Sequence, residues 1–237
     1  MPESLETEEE SMVILRAEHL VRYYGKGKNR IYALNDVSFS MEKGSFVSVV
    51  GTSGSGKSTL LHIVGTVDRP NKGKVFVDDN DLFSLRRDKL AIYRRRHMGI
   101  IYQFNNLLPN LTVKENILLP VLLDGREVNA QYYAELIDIL ELRGREKFYP
   151  HMLSGGQKQR VSIGRAMINT PDVLLADEPT GSLDARNTQE ILQLLKRSNR
   201  EFGQTILLIT HDEQVALQTD RVLYIEHGQL VNDEQIK

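Results

Sequence analysis

The sequence predicts an α/β domain on a largely parallel sheet covered by helices on both faces, with a helical lobe inserted in its middle. Three observations carry this. Short β-branched or apolar runs of strand length alternate with longer segments of helical spacing, the pattern of strand–helix–strand units. A glycine-rich turn, Gly51-Thr52-Ser53-Gly54-Ser55-Gly56-Lys57-Ser58, joins one such strand to the helix after it. Between about 106 and 156 the pattern turns helical, with Ile137, Leu140 and Glu141 at helical spacings.

Residues 1–12 are polar, acidic and aperiodic, and are expected to form a disordered tail before a domain spanning 13–237. Residues 13–15 and 37–41 predict two short strands, with the turn chemistry of Gly25-Lys26-Gly27-Lys28-Asn29 between them. Residues 45–50 predict a buried strand running into Gly51, and 59–64 the helix after the loop. Residues 75–77 form a further short strand closed by Asp78-Asp79-Asn80. In the inserted lobe, 111–123 and 132–142 read as helices. The core resumes with a helix over 157–168 and a buried strand over 173–176. An amphipathic helix over 187–202 places Ile191, Leu194 and Leu195 on one side. Strands at 205–210 and 222–225 close the core.

The length of 237 residues suits one medium domain. Lys and Arg number 30, Asp and Glu 32, for a formal net charge of -2. Five of those acids (Glu3, Glu6, Glu8, Glu9, Glu10) lie in the first ten residues with no base among them, so the remainder holds 27 acids against 30 bases, or +3. This excludes a strongly basic nucleic-acid binder and a wholly acidic disordered chain. There is no cysteine, which excludes disulfides, thiolate catalysis and zinc–thiolate sites. No run approaches the roughly 18 apolar residues of a membrane span. The longest, 117–123, contains Pro120. An acidic start is the reverse of a secretion signal, so a soluble, unexported protein is expected. The clusters Arg86-Arg87-Asp88-Lys89 and Arg94-Arg95-Arg96-His97 are expected to be a solvated helix face.

The glycine-rich turn matches the P-loop pattern in full and sits in the strand-to-helix context that pattern needs. Its glycines let backbone N–H groups turn inward as an anion nest, and the helix N-terminus adds its positive end. Lys57 is placed to reach the β- and γ-phosphates, and the Ser58 hydroxyl suits Mg²⁺. The other half of such a site is an acid ending a buried strand, and Asp177 supplies it as a candidate to hold Mg²⁺ directly or through water. Glu178 follows, a carboxylate suited to orient and polarise an attacking water. Asp177-Glu178-Pro179 alone reads as a polar strand end; beside a P-loop it reads as half of a hydrolytic site.

Further motifs follow in a fixed order. Leu153-Ser154-Gly155-Gly156-Gln157 resembles the signature motif of ATP-binding-cassette (ABC) nucleotide-binding domains. Gln103 resembles the Q-loop glutamine, Ser182-Leu183-Asp184 the D-loop, and His211 in Ile209-Thr210-His211-Asp212 the switch histidine. Tyr24, in a Tyr-x-x-Gly setting, resembles the aromatic residue that stacks on adenine; adjacent Tyr23 is the alternative, and only one of the two should stack. The resemblance runs from about 13 to 231. It implies a P-loop NTPase core of ABC type, with an antiparallel β subdomain and an inserted α-helical subdomain over about 106–156.

The same resemblance implies ATP and Mg²⁺ as cofactors. Gly51, Ser53, Gly54, Ser55, Gly56, Lys57, Ser58 and Thr59 then bind phosphate, and Ser58, Gln103 and Asp177 the metal. Glu178, His211, Gln103 and Lys57 form the catalytic set. Ser154, Gly156, Gln157 and Asp184 serve the nucleotide of the opposite subunit, which implies a head-to-tail homodimer. The implied partner is a membrane permease, with the chain peripheral on the cytoplasmic face of the cell membrane, touching it only through that permease, and with no nucleic acid. Stretches 102–116 and 175–184 resemble the subgroup serving macrolide export, lipoprotein release and antimicrobial-peptide export or resistance by mechanotransmission. A cell-division relative, signalling through a permease-like partner to wall hydrolases, is the alternative. Phe104, Leu107 and Leu108 read equally as part of a permease groove or as core of the helical lobe.

Overall fold

The computed structural model describes residues 12–236, so the predicted acidic tail lies outside the described residues except for Met12. The chain opens with a long antiparallel pair, β1 (Val13–Tyr24) and β2 (Ile31–Glu42), followed by β3 (Phe46–Val50) and helix α1 (Lys57–Val64). Next come β4 (Lys72–Val77), β5 (Asn80–Asp81), α2 (Arg87–His97) and β6 (Met98–Ile101). Helices α3 (Val113–Leu123), α4 (Ala130–Ile139) and α5 (Gly155–Met167) fill the chain before β7 (Val173–Asp177). The remainder is α6 (Ala185–Phe202), β8 (Thr205–Ile209), α7 (Glu213–Ala216), β9 (Arg221–Glu226) and β10 (Gln229–Gln235).

Two sheets result. One is antiparallel, in the order β2-β1-β4-β5. The other has the order β10-β9-β3-β8-β7-β6, parallel throughout except for β10 at its edge. Alternation along the central strands sorts the core into two layers. Leu174, Ala176, Ile206 and Leu208 face a cluster with Ile117 of α3, Val161 and Ile163 of α5, and Ile191 and Leu195 of α6. Val173, Leu175, Leu207 and Ile209 face the opposite way, onto Leu60, Leu61 and Val64 of α1 and onto Leu15, Leu34 and Val75 of the antiparallel sheet. Burying both faces explains why these strands read as continuous apolar runs.

The structure departs from the sequence reading in several places. Strands β1 and β2 run for twelve residues each, far past their apolar cores, because pairing carries on where side chains are exposed. Strands β6 and β10 were not predicted. Strand β10 is polar and almost wholly exposed; its real signal is the His227-Gly228 turn, where both residues adopt positive φ (48° and 77°), as a two-residue hairpin requires. Arg86, Arg87, Asp88 and Lys89 are exposed as expected, but Arg94, Arg95 and Arg96 are not a free solvated face. Arg95 and Arg96 converge with Arg126 on Asp124, just past the end of α3, at 2.8 to 3.1 Å. Arg94 donates to the Thr66 carbonyl at 2.8 Å. Helix α3 starts with a full capping box, Thr112 with Glu115, and continues through Pro120.

Candidate active site

Strand order assembles the site. Strands β3, β8 and β7 are neighbours and parallel, so their C-terminal ends lie side by side. The glycine-rich loop follows β3, Thr210-His211 follows β8, and Asp177-Glu178 ends β7. Ligands of open α/β sheets sit at such carboxyl ends. A cleft of about 490 Å³ opens there, lined by Ala33, Ser53, Gly54, Gly56, Lys57, Ser58, Thr59, Glu178 and His211.

Two glycines shape the loop. Gly51 has φ 155°, and a Cβ on it would stand 2.1 Å from the Ile225 carbonyl oxygen. Gly56 has φ 109°, and its Cβ would stand 2.2 Å from the Ala33 carbonyl oxygen. The contact at Ala33 has a structural cause. Arg22 pairs with Leu34 while Tyr23 pairs with Tyr32, so Ala33 is the extra residue of a bulge that presses the antiparallel sheet against the loop. Sequence reasoning missed Ala33, since nothing in its identity marks a bulge.

The loop is built for an anion. The first bond of α1 runs from Leu60 N–H to the Gly56 carbonyl, which leaves the amides of Lys57, Ser58 and Thr59 directed out of the helix end. The Lys57 ammonium, largely buried, folds back to donate to the Gly51 and Thr52 carbonyls at 2.7 and 2.9 Å. Ser55 is also buried; its amide donates to the Thr52 carbonyl, and its hydroxyl has no hydrogen-bond partner. A phosphate chain fits this cradle of amides and ammonium.

The Ser58 hydroxyl donates to Asp177 Oδ1 at 3.2 Å. Burial pushes the Asp177 carboxyl upward; the Ser58 hydrogen bond pulls it back, as do His62 and Lys57, while Glu178 adds to the rise. Two hard oxygen donors this close suit Mg²⁺, which takes one or two protein oxygens and completes its shell with phosphate and water. Among the described residues no group of three or more acidic or histidine side chains forms a cation site by itself.

Glu178 adopts φ 45°, a left-handed conformation uncommon for a side-chain-bearing residue. Its N–H donates to the Ile209 carbonyl and its own carbonyl accepts from Gly181, which fixes the turn. One carboxylate oxygen lies 3.1 Å from His211 Nδ1. A Cβ on Gly181 would lie 3.0 Å from Gln103 Nε2 and 3.2 Å from the other Glu178 oxygen, so this glycine lets the two side chains converge. Gly181 was not picked out in the sequence; its signal was its place in the 175–184 motif.

The remaining predicted residues lie elsewhere. Ser154, Gly156 and Gln157 open α5 and do not line the cleft. Ser154 and Gln157 form a reciprocal capping box at 3.0 and 3.3 Å. Asp184 caps α6, accepting from the Asn187 amide N–H at 2.8 Å and its side-chain NH₂ at 2.7 Å. Gly156 abuts the same Asn187, whose Oδ1 would be 2.3 Å from a Cβ there. Tyr24 is about half exposed, whereas the Tyr23 ring is engaged by Arg30 and Tyr32. Phe104 and Leu108 are exposed, and Leu107 packs on the core of the helical lobe. No helix of the described residues is long and apolar enough to cross a membrane.

A family model described as "ABC transporter" matches residues 34–181. The lipoprotein-releasing system ATP-binding protein LolD of Bordetella pertussis is 41% identical over 221 residues, covering 92% of this chain and 96% of that protein. The macrolide export ATP-binding/permease protein MacB of Mannheimia succiniciproducens is 40% identical over 226 residues, which cover 94% of this chain but 35% of the longer relative. Among solved structures, the dimeric ABC transporter cassette MJ0796 superposes with a TM-score of 0.86 at 38% identity, over 94% of this chain and 99% of that one. The same cassette in a dimeric post-hydrolysis state bound to ADP and Pi superposes with a TM-score of 0.85.

Proposed function

The chain belongs to the ABC transporter family as one of its ATPase cassettes, and we propose on that premise that it hydrolyses ATP as a homodimer to drive a membrane permease. The observation that carries the proposal is the convergence on one cleft of Lys57, the Ser58–Asp177 pair and the Glu178–His211 pair. Phosphate oxygens replace the Gly51 and Thr52 carbonyls as partners of the Lys57 ammonium, and the amides of Lys57, Ser58 and Thr59 close around them. Ser58, Asp177 and Gln103 would hold Mg²⁺, which would supply charge neutralisation to the phosphates when bound. Glu178 orients and polarises the attacking water. His211 holds the Glu178 carboxylate through Nδ1 and leaves its other ring nitrogen for the terminal phosphate.

Ser154, Gly156, Gln157 and Asp184 stand outside this cleft, which supports their use on the nucleotide of a second copy. Two composite sites then close over two ATP, and hydrolysis reopens them. The relatives' names, lipoprotein release and macrolide export, support an export or release system, and the resemblance of stretches 102–116 and 175–184 supports mechanotransmission from the cytoplasmic side. Exposed Phe104 and Leu108, just after Gln103, are the proposed contact for the permease.

The test is phosphate release from Mg²⁺-ATP as a function of protein concentration. Turnover per chain that rises with concentration and saturates supports paired sites. Turnover per chain that is independent of concentration down to nanomolar protein contradicts them.

A further inference from the structure

A layer of charge stands behind the Tyr24 ring. The Arg22 guanidinium lies 4.7 Å from the ring centroid, on the same strand two residues earlier. Its Nη2 contacts both Asp68 carboxylate oxygens, at 2.8 and 3.0 Å. The Tyr24 hydroxyl donates to the same carboxylate at 3.5 Å. Arg22 Nε is buried and has no hydrogen-bond partner. The guanidinium is therefore not arranged to satisfy all its own donors. It is placed over the ring, with its Nη2 gripped by Asp68.

Asp68 has its own anchor. Its N–H donates to the His62 carbonyl at 3.0 Å, in the turn that leaves α1, and the next amide, Arg69, closes on its side chain at 2.7 Å. The helix whose first turn forms the phosphate cradle thus leads, through the turn that leaves it, to the carboxylate that holds Arg22 beside the tyrosine. A helix of this length spans about 12 Å, so the tyrosine is tied to the phosphate loop through one rigid element. Tyr23 has no such link; its ring meets Arg30 and Tyr32 instead.

We propose that Arg22, fixed by Asp68, is a positioning residue that holds the Tyr24 ring for the nucleotide base and so sets the base's share of ATP affinity. The inference rests on the reading of the cleft as an ATP site with Tyr24 at the base. A ring already fixed loses less freedom when a base stacks on it. The guanidinium covers one face by a cation–π contact, and the half-exposed remainder of the ring is free to meet the base.

The test separates base from phosphate. Steady-state kcat and KM for ATP are measured alongside the Kd for inorganic tripolyphosphate, which has phosphates and no base. Arg22→Ala is expected to raise KM roughly two- to fivefold, with kcat and the tripolyphosphate Kd unchanged. Asp68→Asn should move KM the same way, and Arg22→Lys less. In a Tyr24→Ala background, Arg22→Ala should add nothing. An unchanged KM in Arg22→Ala overturns the proposal, as does an equal loss of tripolyphosphate affinity or a full effect persisting without Tyr24. Should Arg22→Ala fail to fold, Arg22→Lys and Asp68→Asn decide by the same readouts. If Tyr24→Ala itself leaves KM unchanged, the base-site reading of Tyr24 fails and the proposal with it. A raised KM in Tyr24→Ala alone overturns only the role of Arg22.

Discussion

His211 Nδ1 lies 3.1 Å from a carboxylate oxygen of Glu178, although the two residues leave the ends of different strands, β8 and β7. The pairing is possible because Glu178 departs from its strand in a left-handed conformation (φ 45°), anchored by the Ile209 and Gly181 backbones. A residue held this way costs conformational energy, which is tolerated where the surrounding structure fixes it and the geometry is used.

Replacing His211 by Ala should release the Glu178 carboxylate while leaving the phosphate loop intact. The expected outcome is a fall in kcat of about 10²-fold, on the scale of lost acid–base positioning, with ATP affinity within a few-fold of the wild type. Steady-state kinetics with a parallel nucleotide-binding titration checks this. Affinity lost in proportion to kcat would place His211 in ground-state binding instead.

Asp177 carries a stability consequence. Burial is the main reason its carboxyl is raised, opposed by the Ser58 hydrogen bond. A raised native pKa means that the folded protein holds this proton more tightly than the unfolded chain. The associated stability is present below the ordinary aspartate range and is lost as pH rises through the raised value. At neutral pH the ionised side chain therefore works against folding. Nucleotide-free Asp177→Asn should melt at a higher temperature than wild type at pH 7, with the gap narrowing toward pH 4, and should lose Mg²⁺-dependent ATP binding. Scanning calorimetry across that range is the check; a lower melting temperature at pH 7 would contradict the assignment.

Two loop glycines should respond differently to alanine. Gly56 (φ 109°) meets the Ala33 carbonyl, whereas Gly54 (φ 78°) has no heavy atom within 4 Å of its would-be Cβ. Left-handed strain costs each about 1–2 kcal/mol, and Gly56→Ala adds a backbone clash. Denaturant unfolding should show Gly56→Ala as clearly the less stable of the two, with the antiparallel sheet loosened at its bulge.

These cases show what a sequence can and cannot carry. Lys57, Ser58, Asp177, Glu178 and His211 were legible because each stands at a fixed offset from a strand end, and the sheet order brings those ends together. The central strands were legible because burial on both faces leaves a nearly continuous apolar run. Strand β10 was not, since an exposed edge strand needs pairing partners and not apolar side chains. Nor were the bulge at Ala33 and the ion pair of Arg22 with Asp68. The first is an irregularity in the pairing of consecutive strands and the second a contact between segments distant in the chain, and neither alters a local pattern.

Asn116 tests the loop that carries Gln103. It is fully buried in α3, accepts from the Leu108 amide at 2.8 Å, and donates to the carbonyls of Leu108, Leu111 and Thr112. The Leu108 and Thr112 carbonyls also accept backbone N–H groups, so Asn116→Leu strands the Leu108 amide and the Leu111 carbonyl and should destabilise the fold by about 2–4 kcal/mol. A change below 1 kcal/mol in urea unfolding would mean that the loop finds other partners.

The central claim is that Glu178 polarises the attacking water in an ATP site shared between two chains. The direct measurement is turnover and oligomeric state of Glu178→Gln beside wild type. The account predicts retained ATP binding, turnover reduced by about 10²-fold or more, and an ATP-dependent dimer on size exclusion. Wild-type turnover in Glu178→Gln would contradict it.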